Sequence, residues 1–124
     1  MTDQYRDLLQ VIHGRAGDAF RAAFRYGPDD WTMLYVRDDV ATDQLRGSLP
    51  TIVQRAREYE PAVEPGGYPV VGETQATVEL YDGAVILHFQ TGTDTGIVVS
   101  LDREVAQGLG QFVNQINAVL ADEE

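Results

Sequence analysis

The chain has 124 residues, a common length for one domain with a single core, and it contains no cysteine. The lack of cysteine excludes a disulfide, a thiolate zinc site and a cysteine nucleophile. Twenty acidic residues stand against nine basic ones, giving a formal net charge of -11, which disfavours binding to nucleic acid or to an anionic membrane.

The N-terminal third is predicted to form a helix followed by a β-hairpin. Apolar residues at helical spacing predict a helix over residues 3–15 that ends at a nearby glycine. Residues 18–26 alternate as in a strand, although their alanines also fit a helix. The turn at 27–30 and the aromatic and branched run at 31–36 favour the hairpin. Because the run at 31–36 is apolar on both faces, we expect a central strand with helices above and below it.

A second helix is predicted after the hairpin, where apolar residues fall on one side at helical spacing from Leu45 to Tyr59. Pro50 would cost roughly 3 kcal/mol inside a helix but is tolerated in a first turn. Ser48 is therefore predicted as the N-cap, with residues 40–47 forming a short turn or a kinked extension. Residues 60–73, rich in proline and glycine, are predicted to be a loop too long for a simple connector. It is either a functional loop or a plain surface excursion.

The C-terminal half is predicted to hold three strands and a last helix. The strands are expected at 75–81, 84–91 and 96–101, with a tight turn at 82–83 between the first two. Asp102 is predicted to cap the helix that follows. The apolar stripe of that helix consists of Val105, Leu109, Phe112, Val113, Ile116 and Leu120.

These elements predict one α+β domain over residues 1–124, in the order α-β-β-α-β-β-β-α. Five largely antiparallel strands would form one sheet, and three helices would cover it. Residues 121–124 are predicted to be a frayed acidic tail.

All nine basic residues are arginine, and this has two readings. In the first, a GC-rich genome replaces lysine codons with arginine codons without any physical purpose. The second is salt adaptation, which the acidic excess favours, because eleven uncompensated charges destabilise a small compact domain in dilute buffer. At molar salt the screening length falls to about 3 Å and the penalty largely vanishes, so we expect a salt-adapted protein. With no secretory or membrane-spanning pattern in the sequence, a cytoplasmic location is expected.

Two resemblances add to this. Residues 24–40, 85–89 and 96–102 resemble a family of haloarchaeal proteins of unknown function, a likeness that covers about residues 20–115 and departs at the loop. It implies salt adaptation and no particular activity. Separately, the order of elements is similar to the roadblock or dynein light-chain fold. Its members usually dimerise and act as platforms for small GTPases and other partners, and the resemblance implies that class of function without assigning residues.

Ionisable residues give few candidates for chemistry. His13 and His88 do not have the spacing of metal ligands, and structural or surface roles are expected for them. The pairs Asp29-Asp30 and Asp38-Asp39 could hold a hard cation or perform acid-base chemistry. In an acidic protein, however, such pairs are also expected in turns and at helix starts. No catalytic residue, metal ligand or cofactor is therefore predicted.

Arginines and aromatic residues give candidates for binding. Arg21, Arg25 and Arg37 could form an anion or partner patch on adjacent strands, or could pair with nearby carboxylates. Four aromatic residues, Trp31, Tyr35, Tyr59 and Tyr68, could anchor an interface. Core packing is nevertheless expected for Trp31 and Tyr35.

The sequence favours a non-enzymatic regulatory or protein-protein interaction module, dimeric and contacting a protein partner or a second copy. The alternative is a small-molecule sensing domain with a pocket under the 60–73 loop. An enzyme would need the two aspartate pairs to converge in one cleft.

Overall fold

The computed structural model describes residues 3–62 and 70–122. It contains three helices and one five-stranded antiparallel sheet in the predicted order, which confirms the α+β fold. The helices are α1 (Asp3–Ala16), α2 (Asp43–Glu58) and α3 (Gln107–Asp122), and the strands are β1 (Phe20–Tyr26), β2 (Trp31–Val36), β3 (Thr77–Leu80), β4 (Val85–Gly92) and β5 (Thr95–Leu101).

The strands lie in the order β2-β1-β5-β4-β3, with every neighbouring pair antiparallel. The prediction of a central strand at residues 31–36 is therefore wrong, because β2 is an edge strand and β5 is the central one. Its apolar character on both faces has another cause. The register shifts opposite Ala23, so that Met33 packs on one face of the sheet while Leu34 and Tyr35 pack on the other.

Two apolar clusters, one on each face of the sheet, form the core. α2 covers one face and α1 covers part of the other, so the sheet is a layer between them. The buried residues on the α2 face are Phe24, Tyr26, Leu49, Val53 and Val98. Those on the α1 face are Phe20, Ala23, Val99 and Leu101.

α2 begins earlier than predicted. Thr42 is its N-cap and accepts a hydrogen bond from the Leu45 amide at 3.1 Å, so the assignment of the cap to Ser48 is wrong. Pro50 lies inside the helix, where it removes one backbone hydrogen bond. Packing offsets that loss, because burying Leu49 contributes about 1.5–3 kcal/mol.

The connections differ from prediction at two places. Asp102 precedes a 3-10 turn at Arg103–Ala106, and its side chain makes no capping hydrogen bond. The predicted 60–73 loop has no helix or strand in its described parts, while residues 63–69 lie outside the described residues. In the predicted tail, residues 121 and 122 belong to α3, and residues 123–124 are outside the described part.

Within the described ranges, no helix combines the length and apolar character needed to cross a bilayer.

Candidate functional site

α3 presents its apolar side chains to solvent instead of to the sheet. Phe112 is 59% exposed and Ile116 43%, and the helix packs mainly against the 3-10 turn before it. The expectation that three helices cover the sheet is therefore wrong for α3. Periodicity shows that a helix has an apolar face, but it does not show which surface covers that face.

The exposed side chains follow a regular spacing of four and three residues, which is the repeat of a coiled-coil seam. No charged residue occurs between positions 107 and 121. α3 thus combines an apolar stripe with neutral polar flanks. We call the stripe the α3 seam. Its residues are Val105 of the preceding 3-10 turn and Leu109, Phe112, Ile116 and Val119 of α3.

A cleft lies between α2 and the β3–β5 half of the sheet. It consists of two adjoining cavities of about 320 and 380 Å³. Ile52, Ile86 and Val98 line both cavities, as do Glu79 and Tyr81. The cleft therefore has an apolar floor and polar groups at its rim.

One residue that lines the second cavity, His88, forms a hydrogen bond to the buried side chain of Tyr26 behind it. The Tyr26 hydroxyl oxygen lies 2.6 Å from His88 Nε2 and 3.4 Å from the carbonyl oxygen of Ala56. His88 is only 8% exposed, and Tyr59 packs edge-on against its ring. Burial lowers the pKa of His88, against a weaker opposite effect of Glu79, and burial raises the pKa of Tyr26. Both groups are therefore neutral near pH 7.

The two contacts of the Tyr26 hydroxyl indicate the direction of this hydrogen bond. The hydroxyl donates to the carbonyl oxygen of Ala56, which can only accept, so both contacts are satisfied when His88 Nε2–H donates to the Tyr26 oxygen. A neutral imidazole that donates at Nε2 is an acceptor at Nδ1. No residue in the described ranges bonds Nδ1, and His88 lines the cleft. One hydrogen-bonding nitrogen of His88 is thus without a partner among the described residues.

Gly96 permits this arrangement. The glycine lies in the central strand opposite Tyr26, and a Cβ placed on it would be 2.5 Å from the Tyr26 hydroxyl oxygen. Any larger residue would displace the phenol, and the His88 hydrogen bond with it.

At the far end of the sheet, Arg37 bridges two carboxylates. It contacts Asp39 at 2.5 Å and Asp102 at 2.9 Å, and Arg21 lies 3.7 Å from Asp102. The hydrogen bonds from Arg37 lower the pKa of both aspartates. These arginines are therefore paired with acids and do not form a patch open to anions. Asp102 has this partner in place of the predicted capping role.

The predicted aspartate pairs do not converge. They lie at opposite ends of β2, a six-residue strand about 20 Å long. Asp30 forms an ion pair with Arg25 at 3.0 Å, and Asp39 pairs with Arg37. Among the residues that the structure describes, no group of three potential metal ligands comes together. Acid-base chemistry by these pairs would need them to converge in one cleft, and they do not.

The remaining candidates separate in space. His13 lies against Phe20 and Tyr35, each at 4.8 Å between ring centroids, on the α1 face of the sheet. Trp31 is exposed on the edge strand, and Tyr59 lines the cleft. The predicted anchor Tyr68 lies outside the described residues. Sequence reasoning missed the cleft role of His88, although its alternation with the apolar residues of its strand indicated which face it occupies.

The fold and these two surfaces define a small α+β domain with an uncovered helix and an apolar cleft. The chain belongs to the family described as domain of unknown function DUF7522, whose model matches residues 6–121. No curated protein matches the chain.

Proposed function

We propose that this protein is a non-enzymatic interaction domain that acts as a homodimer, in which the α3 seams of two copies pack together. The observation that supports the proposal is the exposure of the whole seam in the single chain. Contiguous exposed apolar surface rimmed by polar residues is typical of interaction sites.

The stability of α3 itself argues for a partner. The helix has sixteen residues, and isolated helices near that length are marginal in water. Gly108 and Gly110 lower its intrinsic stability further, by roughly 1 kcal/mol each relative to alanine. An α3 without tertiary packing would therefore fray, and pairing supplies the missing burial.

Charge favours a second copy as that partner. Two molecules that each carry -11 repel wherever their acidic surfaces meet. Because α3 is uncharged from residue 107 to residue 121, seam-to-seam packing brings no like charges into contact. A basic partner would instead be attracted to the acidic surface elsewhere. The neutral helix is the surface where two identical chains meet at the lowest electrostatic cost.

The proposal includes a salt-adapted, cytoplasmic environment of haloarchaeal type. Its support is the combination of nine arginines, no lysine and twenty acidic residues. Screening over about 3 Å at molar salt would weaken repulsion within and between copies. The roadblock-like order of elements, in a fold whose members usually dimerise, agrees with pairing but assigns no residues.

Introduced cysteines test the pairing, because the chain has none of its own. Phe112 is the middle residue of the seam, so in a symmetric pair it meets its own copy whether the helices run parallel or antiparallel. Under mild oxidation, Phe112→Cys should give a disulfide-linked dimer in high yield. Asn114→Cys, on the opposite side of α3, is the matched control. Equal cross-linking of the two variants, or none in either, would contradict the proposal.

A further inference from the structure

We propose that the cleft between α2 and the β3–β5 half of the sheet binds a neutral, largely apolar small molecule with one hydrogen-bonding oxygen or nitrogen, held by His88. This site does not depend on pairing through α3, which is a separate surface of the chain.

The size and lining of the cleft fit such a ligand. Its cavities of about 320 and 380 Å³ adjoin and together lie within the usual range for small-molecule sites. Phe24, Leu49 and Val98 form the apolar wall of the first cavity. Ile52 is 37% exposed at the edge of α2 and Tyr81 is exposed on the opposite side, so the cleft opens to solvent between them.

His88 gives the cleft its specific anchor. Only Nε2 of His88 has a partner among the described residues, and no enclosed side-chain nitrogen or oxygen there lacks one, so Nδ1 is accessible although the residue is 92% buried. The hydrogen bond to Tyr26 fixes the ring, and Tyr59 packs against it. Nδ1 is thus a positioned acceptor on a residue that lines an apolar cavity, and a few positioned polar groups of this kind orient ligands in small-molecule sites.

The apolar wall of the cleft favours neutral ligands. The charged residues at its rim are of both signs, since Glu79 lines both cavities, Arg21 lines the first and Arg55 lines the second. An ion of either sign would have to leave water for a wall made of Ile86 and Val98, and such a transfer is costly without a buried partner. A neutral molecule avoids this penalty. An aromatic or aliphatic body against the wall, with its oxygen at His88 Nδ1, fits both ends of the cleft.

Two probes that differ by one hydroxyl group test the site. 4-Ethylphenol and ethylbenzene share their apolar body, and only the phenol can hydrogen-bond to His88. Binding is followed by NMR titration of the methyl groups of Ile52, Ile86 and Val98 and of the His88 ring nitrogens. We expect saturable shifts at these methyls with both probes, and a shift of His88 Nδ1 with the phenol alone.

Variants separate the hydrogen bond from the apolar fit. His88→Phe should weaken the binding of 4-ethylphenol by about 2- to 10-fold and leave the binding of ethylbenzene unchanged. His13→Phe, the same substitution on the other face of the sheet, should affect neither probe. Ile52→Trp should fill the mouth of the cleft and abolish binding of both. This third variant is a test even if the His88 variant fails to fold.

Three results would overturn the proposal. In the first, neither probe causes saturable shifts at the cleft. In the second, the shifts lie on the α3 seam, which would show nonspecific binding to exposed apolar surface. In the third, Ile52→Trp binds both probes as well as the wild type does.

Discussion

α2 and α3 have the same length of sixteen residues and each has an apolar stripe, but their surroundings are opposite. In α2 the stripe is buried against the sheet, with Val53 only 1% exposed, and charged residues occupy the solvent side. In α3 the stripe is exposed, and the flanks carry no charge. α2 is thus a helix whose partner is its own sheet, whereas α3 has no equivalent partner among residues 3–62 and 70–122.

The difference shows that an amphipathic pattern and a charge pattern carry separate information. The apolar spacing is similar in the two helices and predicts only that each has a face to bury. Charge distinguishes them, because a helix with a charged outer face can remain in contact with water on that side. A helix that is neutral all round is better suited to a second interface.

The largest expected effect is a difference in stability between a substitution on α2 and the same substitution on α3. Leu49→Ala removes a buried side chain of α2 and should lower the free energy of unfolding by about 2–5 kcal/mol. Leu109→Ala removes an exposed one of α3 and should lower it by less than about 0.5 kcal/mol at protein concentrations too low for pairing. Urea denaturation followed by circular dichroism measures both. Equal losses would mean that α3 packs on its own domain.

An intermediate effect on thermal stability is expected from salt, which screens the charges of the acidic part of the domain and has none to screen on α3 between residues 107 and 121. Raising KCl from about 0.1 M to about 2 M should raise Tm by at least about 5 °C, on the order of 1 kcal/mol, because screening relieves the repulsion of the excess carboxylates. Scanning calorimetry gives the value. A Tm that does not change with KCl would contradict salt adaptation. An equal rise in isosmotic sucrose would also contradict it, since sucrose does not screen charge.

The smallest effect is a pH dependence that compares the two histidines. The folded state lowers the pKa of His88, so the unfolded chain binds a proton first as the pH falls below about 6.5. The resulting stabilisation is fully present above that pH and is lost as the pH falls through the folded-state pKa. We expect the free energy of unfolding to decrease over this range in the wild type and in His13→Phe. In His88→Phe the slope should be smaller, and an unchanged slope would assign it to other groups.

The local patterns of the sequence predicted most of the fold. Turn residues at 27–30 and 82–83 separate runs of branched and aromatic residues, and this was enough for the strand pairs and the order of elements. Their position in the sheet could not be obtained this way. β2 has the apolar composition of a central strand but lies at the edge, since strand order depends on contacts between residues far apart in sequence.

The errors around α2 and α3 have the same origin. Propensity places a helix start just before Pro50, but packing of Leu45 and Leu49 extends the helix back to its cap at Thr42. Asp102 looks like a cap, but Arg37, distant in sequence, binds its carboxylate. The sequence suggested a small-molecule pocket only as an alternative, under the 60–73 loop. It did not suggest the Tyr26–His88 contact, because that contact joins β1 to β4 across the sheet.

The most direct test of the central claim is the mass of the particle in molar KCl by light scattering, for the wild type and two α3 variants. The wild type should have twice the chain mass of 13.7 kDa. Ile116→Glu places a charge in the seam and should give the mass of one chain, while Asn114→Glu places the same charge on the opposite side and should remain a dimer. A wild type that is monomeric at about 100 µM, or an Ile116→Glu variant that still dimerises, would contradict pairing through α3.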